Sequence, residues 1–202
     1  ISTGRYNKVL LIGADTMSSI IDYSDRSTCV IFGDGAGAVL FEPNNKGLGL
    51  QDEVLRVDGK GRTYLKIEAG GSMLPASKHT VTEKKHFLHQ DGRPVFKFAV
   101  SNMGNAITQV LERNNLTKDD IDFVVAHQAN KRILDAISNQ LDLKPNQMLI
   151  NIERYGNTTA ATLPLLLWDY EHLLKKNQKL LFTAFGGGFT WGASFLTWAY
   201  NA

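Results

Sequence analysis

A single cysteine, Cys29, stands among the 202 residues, which excludes an internal disulfide and fits a reducing compartment. Long apolar runs are also missing. The one near the start, Val9 to Ile12, is far short of the roughly 20 residues that cross a bilayer and lacks the flanks of a secretory leader. A cytoplasmic location is expected, and no membrane partner. The Asn-X-Thr matches at Asn115 and Asn157 then carry no weight as glycosylation sites. Charge of one sign is lacking too: 22 Lys and Arg face 20 Asp and Glu, for a formal +2, without a long single-sign block. Nucleic acid is therefore excluded as an expected partner. What is present, 43% hydrophobic residues, suffices for a sizeable core in one domain or parts of two. The chain opens on Ile1 and soon enters an apolar run, which reads as a segment continuing from something upstream.

Apolar patterning predicts buried strands over Lys8–Ala14 and Phe123–Ala126 and further strands over Thr28–Phe32, Ala36–Phe41, Lys179–Ala184 and Ala193–Trp198. Gly33-Asp-Gly35 is expected to turn between the second and third, and Phe185-Gly-Gly-Gly-Phe189 between the last two. Phe96, Val100, Met103, Ile107, Val110 and Leu111 recur at three- and four-residue steps and predict a helix over Val95–Asn114. Further helices are expected over Ala129–Gln140 and Thr158–Lys176, the latter nearly apolar up to its basic end. Thr117 is placed to cap a short turn. Leu48–Lys97 shows little periodicity and reads as loop-rich with short strands. Strands alternating with helices imply a layered α/β fold, with a boundary near Pro43–Gly47 that divides the chain into 1–43 and 44–202.

Several chemical candidates weaken on inspection. Gly33-Asp-Gly-Ala-Gly-Ala38 approaches a dinucleotide fingerprint, but Ala-Val-Leu-Phe follows it where a helix must begin. Gly186-Gly-Gly188 has no Lys-Ser/Thr partner for a P-loop, although backbone N–H groups there can meet an anion. Cys29 sits in apolar surroundings without a helix N-terminus after it, and reads as a small buried hydrophobe rather than a nucleophile. His86 and His89 lack an acidic or cysteine ligand set, and His79 and His172 have weaker contexts still. His127, which ends the apolar run Phe123–Ala126, and Asn157, in Tyr155-Gly-Asn-Thr-Thr159, taken together say more. Each lies at the end of an ordered element beside a helix start, where α/β folds place their sites. Taken alone, the first is a structural histidine and the second a helix cap.

Read jointly and in order, DRSTCVIFGDGAGAVLFE, VVAHQANKRI, RYGNTTAATLP and AFGGGFTWGASFL resemble the β-ketoacyl-acyl-carrier-protein synthase III family of the thiolase superfamily. The resemblance runs from Gly4 to the end and is loosest over 48–93. It implies a layered α-β-α-β-α fold of two similar halves, of which this chain supplies the end of the first (1–43) and the whole second (44–202). It also implies a homodimer, acyl-CoA and malonyl-acyl-carrier protein as partners, and no cofactor or metal beyond the thioester carriers. His127 and Asn157 match two members of the family's Cys–His–Asn triad. The nucleophilic cysteine of that triad belongs to a helix start upstream of these residues, so the chain alone is expected not to condense.

By the same resemblance Gly187 supplies an oxyanion N–H, while Arg26, Gly92, Phe96, Asn130 and Arg132 line the channel for coenzyme A and pantetheine. Lys131 and Arg132 would meet the acidic carrier protein. Gln90-Asp91 departs from the small apolar residues expected before Gly92, which leaves primer choice open. The chemistry suits the residue types: decarboxylating a malonyl thioester leaves an enolate oxygen, and two neutral donors stabilise it where charge develops. The leading expectation is an enzyme that starts fatty-acid synthesis from an acyl-CoA primer, acetyl-CoA being the expected one. The alternatives are a ketosynthase of secondary metabolism and a non-catalytic thiolase-like module.

Overall fold

The computed structural model describes residues 1–201. In chain order these form strands β1 (Val9–Asp15), β2 (Gly35–Phe41), β3 (Gly49–Val57) and β4 (Leu65–Ile67), helix α1 (Lys78–Thr82), strand β5 (Leu88–Gln90) and helix α2 (Gly92–Arg113). Strand β6 (Phe123–Ala126), helices α3 (Lys131–Gln140), α4 (Ile152–Tyr155) and α5 (Thr162–Tyr170), and strands β7 (Lys179–Gly186) and β8 (Thr190–Thr197) follow.

Side chains alternate across a strand, so a strand apolar at every position must be covered on both faces. Such is β6. Val124 and Ala126 enter one core cluster with Met103, Ile107 and Val110 of α2 and Ile133, Leu134 and Ile137 of α3. Val125, between them, enters another with Leu149 and Leu166 of α5. The sheet they cross has the order β3-β8-β7-β6, parallel at β6–β7 and antiparallel elsewhere. Helices α2 and α3 cover one face and α5 the other. On the far side of α5 lies the antiparallel ribbon β1–β2, in register from Val9↔Phe41 to Asp15↔Gly35, with Gly37 against Pro164 at the start of α5. Ribbon, helix, sheet and helices thus stack as four successive layers. Pro43–Gly47 runs between the ribbon and β3, and β4 pairs with β5 in a small separate sheet.

Several local expectations fail, each for a visible reason. Thr28–Ile31 forms turns and Phe32 an isolated bridge to Asn157 rather than a strand, because the Asp25 carboxylate accepts bonds from the Ser27 N–H and hydroxyl and from the Thr28 hydroxyl, and such local bonding competes with a ladder. Gly33-Asp-Gly35 consequently joins no hairpin, and β2 pairs with β1 instead. Strand β1 is not buried: Leu10 and Ile12, with Leu40 of β2, are 59%, 65% and 53% exposed, since only one face of the ribbon is covered among the described residues. The long helix at Thr158–Lys176 is divided into a 3-10 turn at Thr159–Ala161, α5, and a 3-10 turn at Glu171–Leu173. Thr159 has a left-handed φ of 49°, which an uninterrupted helix does not admit, and Lys175 and Lys176 lie past its end. Helix α3 also starts at Lys131 rather than Ala129, because Asn130 takes the cap position and its Oδ1 accepts the Arg132 N–H at 2.9 Å. Within 48–97, β3 is a full nine-residue strand. His89 lies in β5, and His86 Nε2 is 2.9 Å from Thr80 Oγ1.

Candidate active site

Strand β6 runs parallel to β7, and the backbone N–H of His127 continues that pairing by donating to Thr183 O at 2.8 Å. The imidazole is carried past the strand end to a cavity of about 1200 Å³ between the sheet, α2, α3 and the Asn157 loop. His127 is buried, and its Nδ1 is sealed from solvent without a hydrogen-bond partner, which leaves Nε2 as the ring nitrogen open to the cavity. Burial without a counter-charge pushes its pKa down to about 4, since desolvation disfavours the charged ring. At neutral pH the ring is uncharged, as a donor that does not itself lose a proton requires.

Asn157 is set by a different device. Its N–H donates to Ile31 O at 2.9 Å and its carbonyl accepts the Gly33 N–H at 3.0 Å, fixing the backbone against the segment before β2. Side-chain Oδ1 accepts the Thr159 N–H at 3.0 Å, so the amide presents Nδ2, its donor end, to the cavity. The glycines that suggested a nucleotide loop serve this packing. A Cβ on Gly33 would lie 2.2 Å from Tyr155 O, on Gly35 2.9 Å from Thr158 Cβ, and on Gly13 of β1 2.2 Å from Ala160 O. Only a face without side chains lets the 155–161 segment come so near.

Gln128 holds the two loops together from behind. Its N–H donates to Thr162 Oγ1 at 2.8 Å, its Nε2 to Ala126 O and Leu149 O, and its Oε1 accepts the N–H groups of Asn151 and Ile152. Fully buried and fully satisfied, this amide ties the His127 end of β6 to the chain on either side of Asn157. Sequence reading missed Gln128, Thr159 and Thr162. The glutamine inside a strand-end motif, next to the histidine, was the one available signal.

The other anticipated residues divide. Gly92, Phe96, Asn130, Arg132 and Gly187 all border the cavity together with His127 and Asn157. Arg26 and Lys131 do not: Arg26 is exposed beside Ser27, which does border it, and Lys131 pairs with Asp135 at 2.7 Å one turn along α3. Asn130 has its Oδ1 committed to the α3 cap. Gly92 has open space where a Cβ would point, so nothing steric demands glycine there. Cys29 is partly buried and is not part of the wall.

Residues 1–59 match the 3-oxoacyl-[acyl-carrier-protein] synthase III family and residues 111–198 the C-terminal family of the same enzyme. The chain belongs to the β-ketoacyl-acyl-carrier-protein synthase III family. Relatives named β-ketoacyl-acyl-carrier-protein synthase III from Bacteroides thetaiotaomicron and Phocaeicola vulgatus are 53% and 52% identical over 201 residues, covering 100% of this chain and 60% of theirs. Solved synthase III structures from Pseudomonas aeruginosa and Thermus thermophilus superpose with TM-scores of 0.89 and 0.89 at 35% and 39% identity. They cover 100% and 98% of this chain and 61% of each structure. The fold is therefore thiolase-like, as the motifs implied, and the chain spans about 60% of the length of the relatives it matches.

Proposed function

We propose that these residues form the decarboxylating and channel-lining part of an acyltransferase that joins an acyl group, carried in as an acyl-CoA, to malonyl-acyl-carrier protein and so starts fatty-acid synthesis. One observation carries the reading: neutral His127 and the Nδ2 end of Asn157 open on one cavity, with the Gly187 loop beside them. The malonyl C–C bond to the carboxylate breaks, CO2 leaves, and the electron pair passes to the thioester oxygen as an enolate. The two donors stabilise that oxygen. The enolate carbon then attacks the acyl thioester, a new C–C bond forms, and the thiolate leaves. Gly187 is assigned to the oxyanion of this second step. Cys29 is not part of the cavity wall and is not assigned as the acyl-bearing nucleophile; by resemblance to the family that role goes to a cysteine outside the 202 residues.

The partners proposed are acyl-CoA, with acetyl-CoA as primer, and malonyl-acyl-carrier protein. Arg132 at the cavity mouth would act on the phosphate end or the acidic carrier, and Phe96 and Gly92 would line the pantetheine arm. No cofactor is invoked beyond the thioester carriers. The enzyme would be a cytoplasmic homodimer, and no described helix is long and apolar enough to cross a membrane. A second reading, a priming ketosynthase of secondary metabolism, draws support from a solved priming β-ketosynthase of the R1128 polyketide pathway, 28% identical with a TM-score of 0.86 and covering 98% of this chain and 59% of that one. The set of acyl-CoA primers accepted separates the two.

The test is to measure the half-reactions separately in the full-length protein. His127→Ala or Asn157→Ala should slow malonyl decarboxylation about 10²–10³-fold while leaving acyl transfer from CoA much less affected. Equal loss of both half-reactions, with folding intact, would sink the division of roles.

A further inference from the structure

Asp15 closes β1 on the same face of the ribbon as Gly13, Gly35 and Gly37. Its Oδ2 accepts the Ala160 N–H at 3.0 Å and a hydrogen bond from the Thr159 hydroxyl. Thr159 in turn donates its N–H to Asn157 Oδ1 at 3.0 Å. A continuous series of hydrogen bonds thus runs from the ribbon to the amide that faces the cavity. Asp15 does not border that cavity, whereas Thr159 and Ala160 do, so anything it does there passes through the backbone turn that these two residues form.

Thr159 is the sensitive link. Its φ of 49° is rare for a β-branched residue and persists only when the surroundings over-determine it. The glycine face makes room for the turn, but a flat face does not choose its backbone conformation. The two donors converging on one carboxylate oxygen do. Without that anchor Thr159 can relax to negative φ, turning its N–H away from Asn157 Oδ1. The amide is then free to rotate and to bring an acceptor where a donor belongs, against the developing negative charge.

We propose that Asp15 is a positioning residue for Asn157, through which the β1–β2 ribbon selects the orientation of the side-chain amide. This rests on the reading of Asn157 as a donor to the enolate. The experiment compares malonyl decarboxylation and acyl transfer in the full-length protein carrying Asp15→Ala, Asp15→Asn, Asn157→Ala, or Asp15→Ala with Asn157→Ala. Asp15→Ala should lower kcat for decarboxylation by about ten- to a hundredfold, the range a small misplacement produces, with little change in KM or in acyl transfer. Asp15→Asn retains an oxygen able to accept both bonds and should restore most of the rate. In the Asn157→Ala background Asp15→Ala should cost nothing further, because the amide it positions is gone. Should Asp15→Ala prove poorly folded, Thr159→Val exchanges the hydroxyl for a methyl while keeping the branched side chain and the N–H, and should give a milder loss in the same half-reaction, again silent beside Asn157→Ala.

Equal losses from Asp15→Ala in both backgrounds, or a parallel fall in acyl transfer, would reduce Asp15 to a structural residue and overturn the proposal. An Asp15→Ala enzyme as fast as wild type, beside a crippled Asn157→Ala enzyme, would overturn the positioning role alone. Normal decarboxylation by Asn157→Ala would overturn the enolate reading and this proposal with it.

Discussion

The protonation of His127 gives the sharpest quantitative test, because a single buried ring separates the folded from the unfolded chain. With its pKa near 4 in the fold, about one ring in a thousand is charged at pH 7, whereas at the ordinary value of 6.5 it would be about one in four. The folded state resists a proton that the unfolded state accepts, so the unfolded chain binds more protons between pH 6.5 and 4. Stability must therefore rise with pH across that window and fall as pH drops through it. Between pH 7 and pH 5 the cost of this one group works out at about 2 kcal/mol. Denaturant unfolding of wild type and His127→Gln at both pH values isolates it, since carboxylates common to both proteins cancel in the difference. The wild type should lose about 2 kcal/mol more than the variant. Direct NMR titration of the His127 ring should show no protonation at pH 5.5. A ring titrating near 6.5, or equal pH dependence in the two proteins, would mean that the imidazole is solvated and that the neutral-donor argument fails.

Three further outcomes can be checked. Arg132→Ala in the full-length enzyme should raise KM for malonyl-acyl-carrier protein, in a salt-dependent way and with little change in kcat, because a cation at a rim acts on encounter; a fall in kcat at constant KM would place Arg132 in the chemistry. Incubation with acyl-CoA should leave Cys29 unmodified, and an acyl mass shift mapped to its peptide would refute its exclusion. Gly13→Ala should destabilise the chain by about 3 kcal/mol, as overpacking does, because the new methyl meets a backbone oxygen at 2.2 Å that has no rotamer to escape into; an unchanged denaturation midpoint would show that the ribbon does not press on the Asn157 turn.

Local sequence determined the elements whose reasons are local. Phe123–Ala126 is a strand end to end, and the three- and four-residue spacing through Val110 marked α2 to within three residues at its start, because periodicity records which faces are covered. His127 and Asn157 were legible as ends of ordered elements, and the joined motifs identified the family. Tertiary structure decided the remainder. No property of Gly33-Asp-Gly-Ala-Gly distinguishes a turn, a phosphate loop and a smooth packing face until Tyr155, Thr158 and Ala160 lie against Gly33, Gly35 and Gly13. The runs Val9–Ile12 and Thr28–Phe32 are equally apolar on paper, yet one is a half-covered strand and the other a set of turns held by Asp25. At Thr159, where the 158–176 segment is divided, the hydroxyl donates to a carboxylate 144 positions earlier in the chain. Period and composition describe neighbours along the chain, whereas the His127 pKa, the Asn157 amide orientation and the Gln128 clasp arise from groups brought together by packing, and only packing could set them.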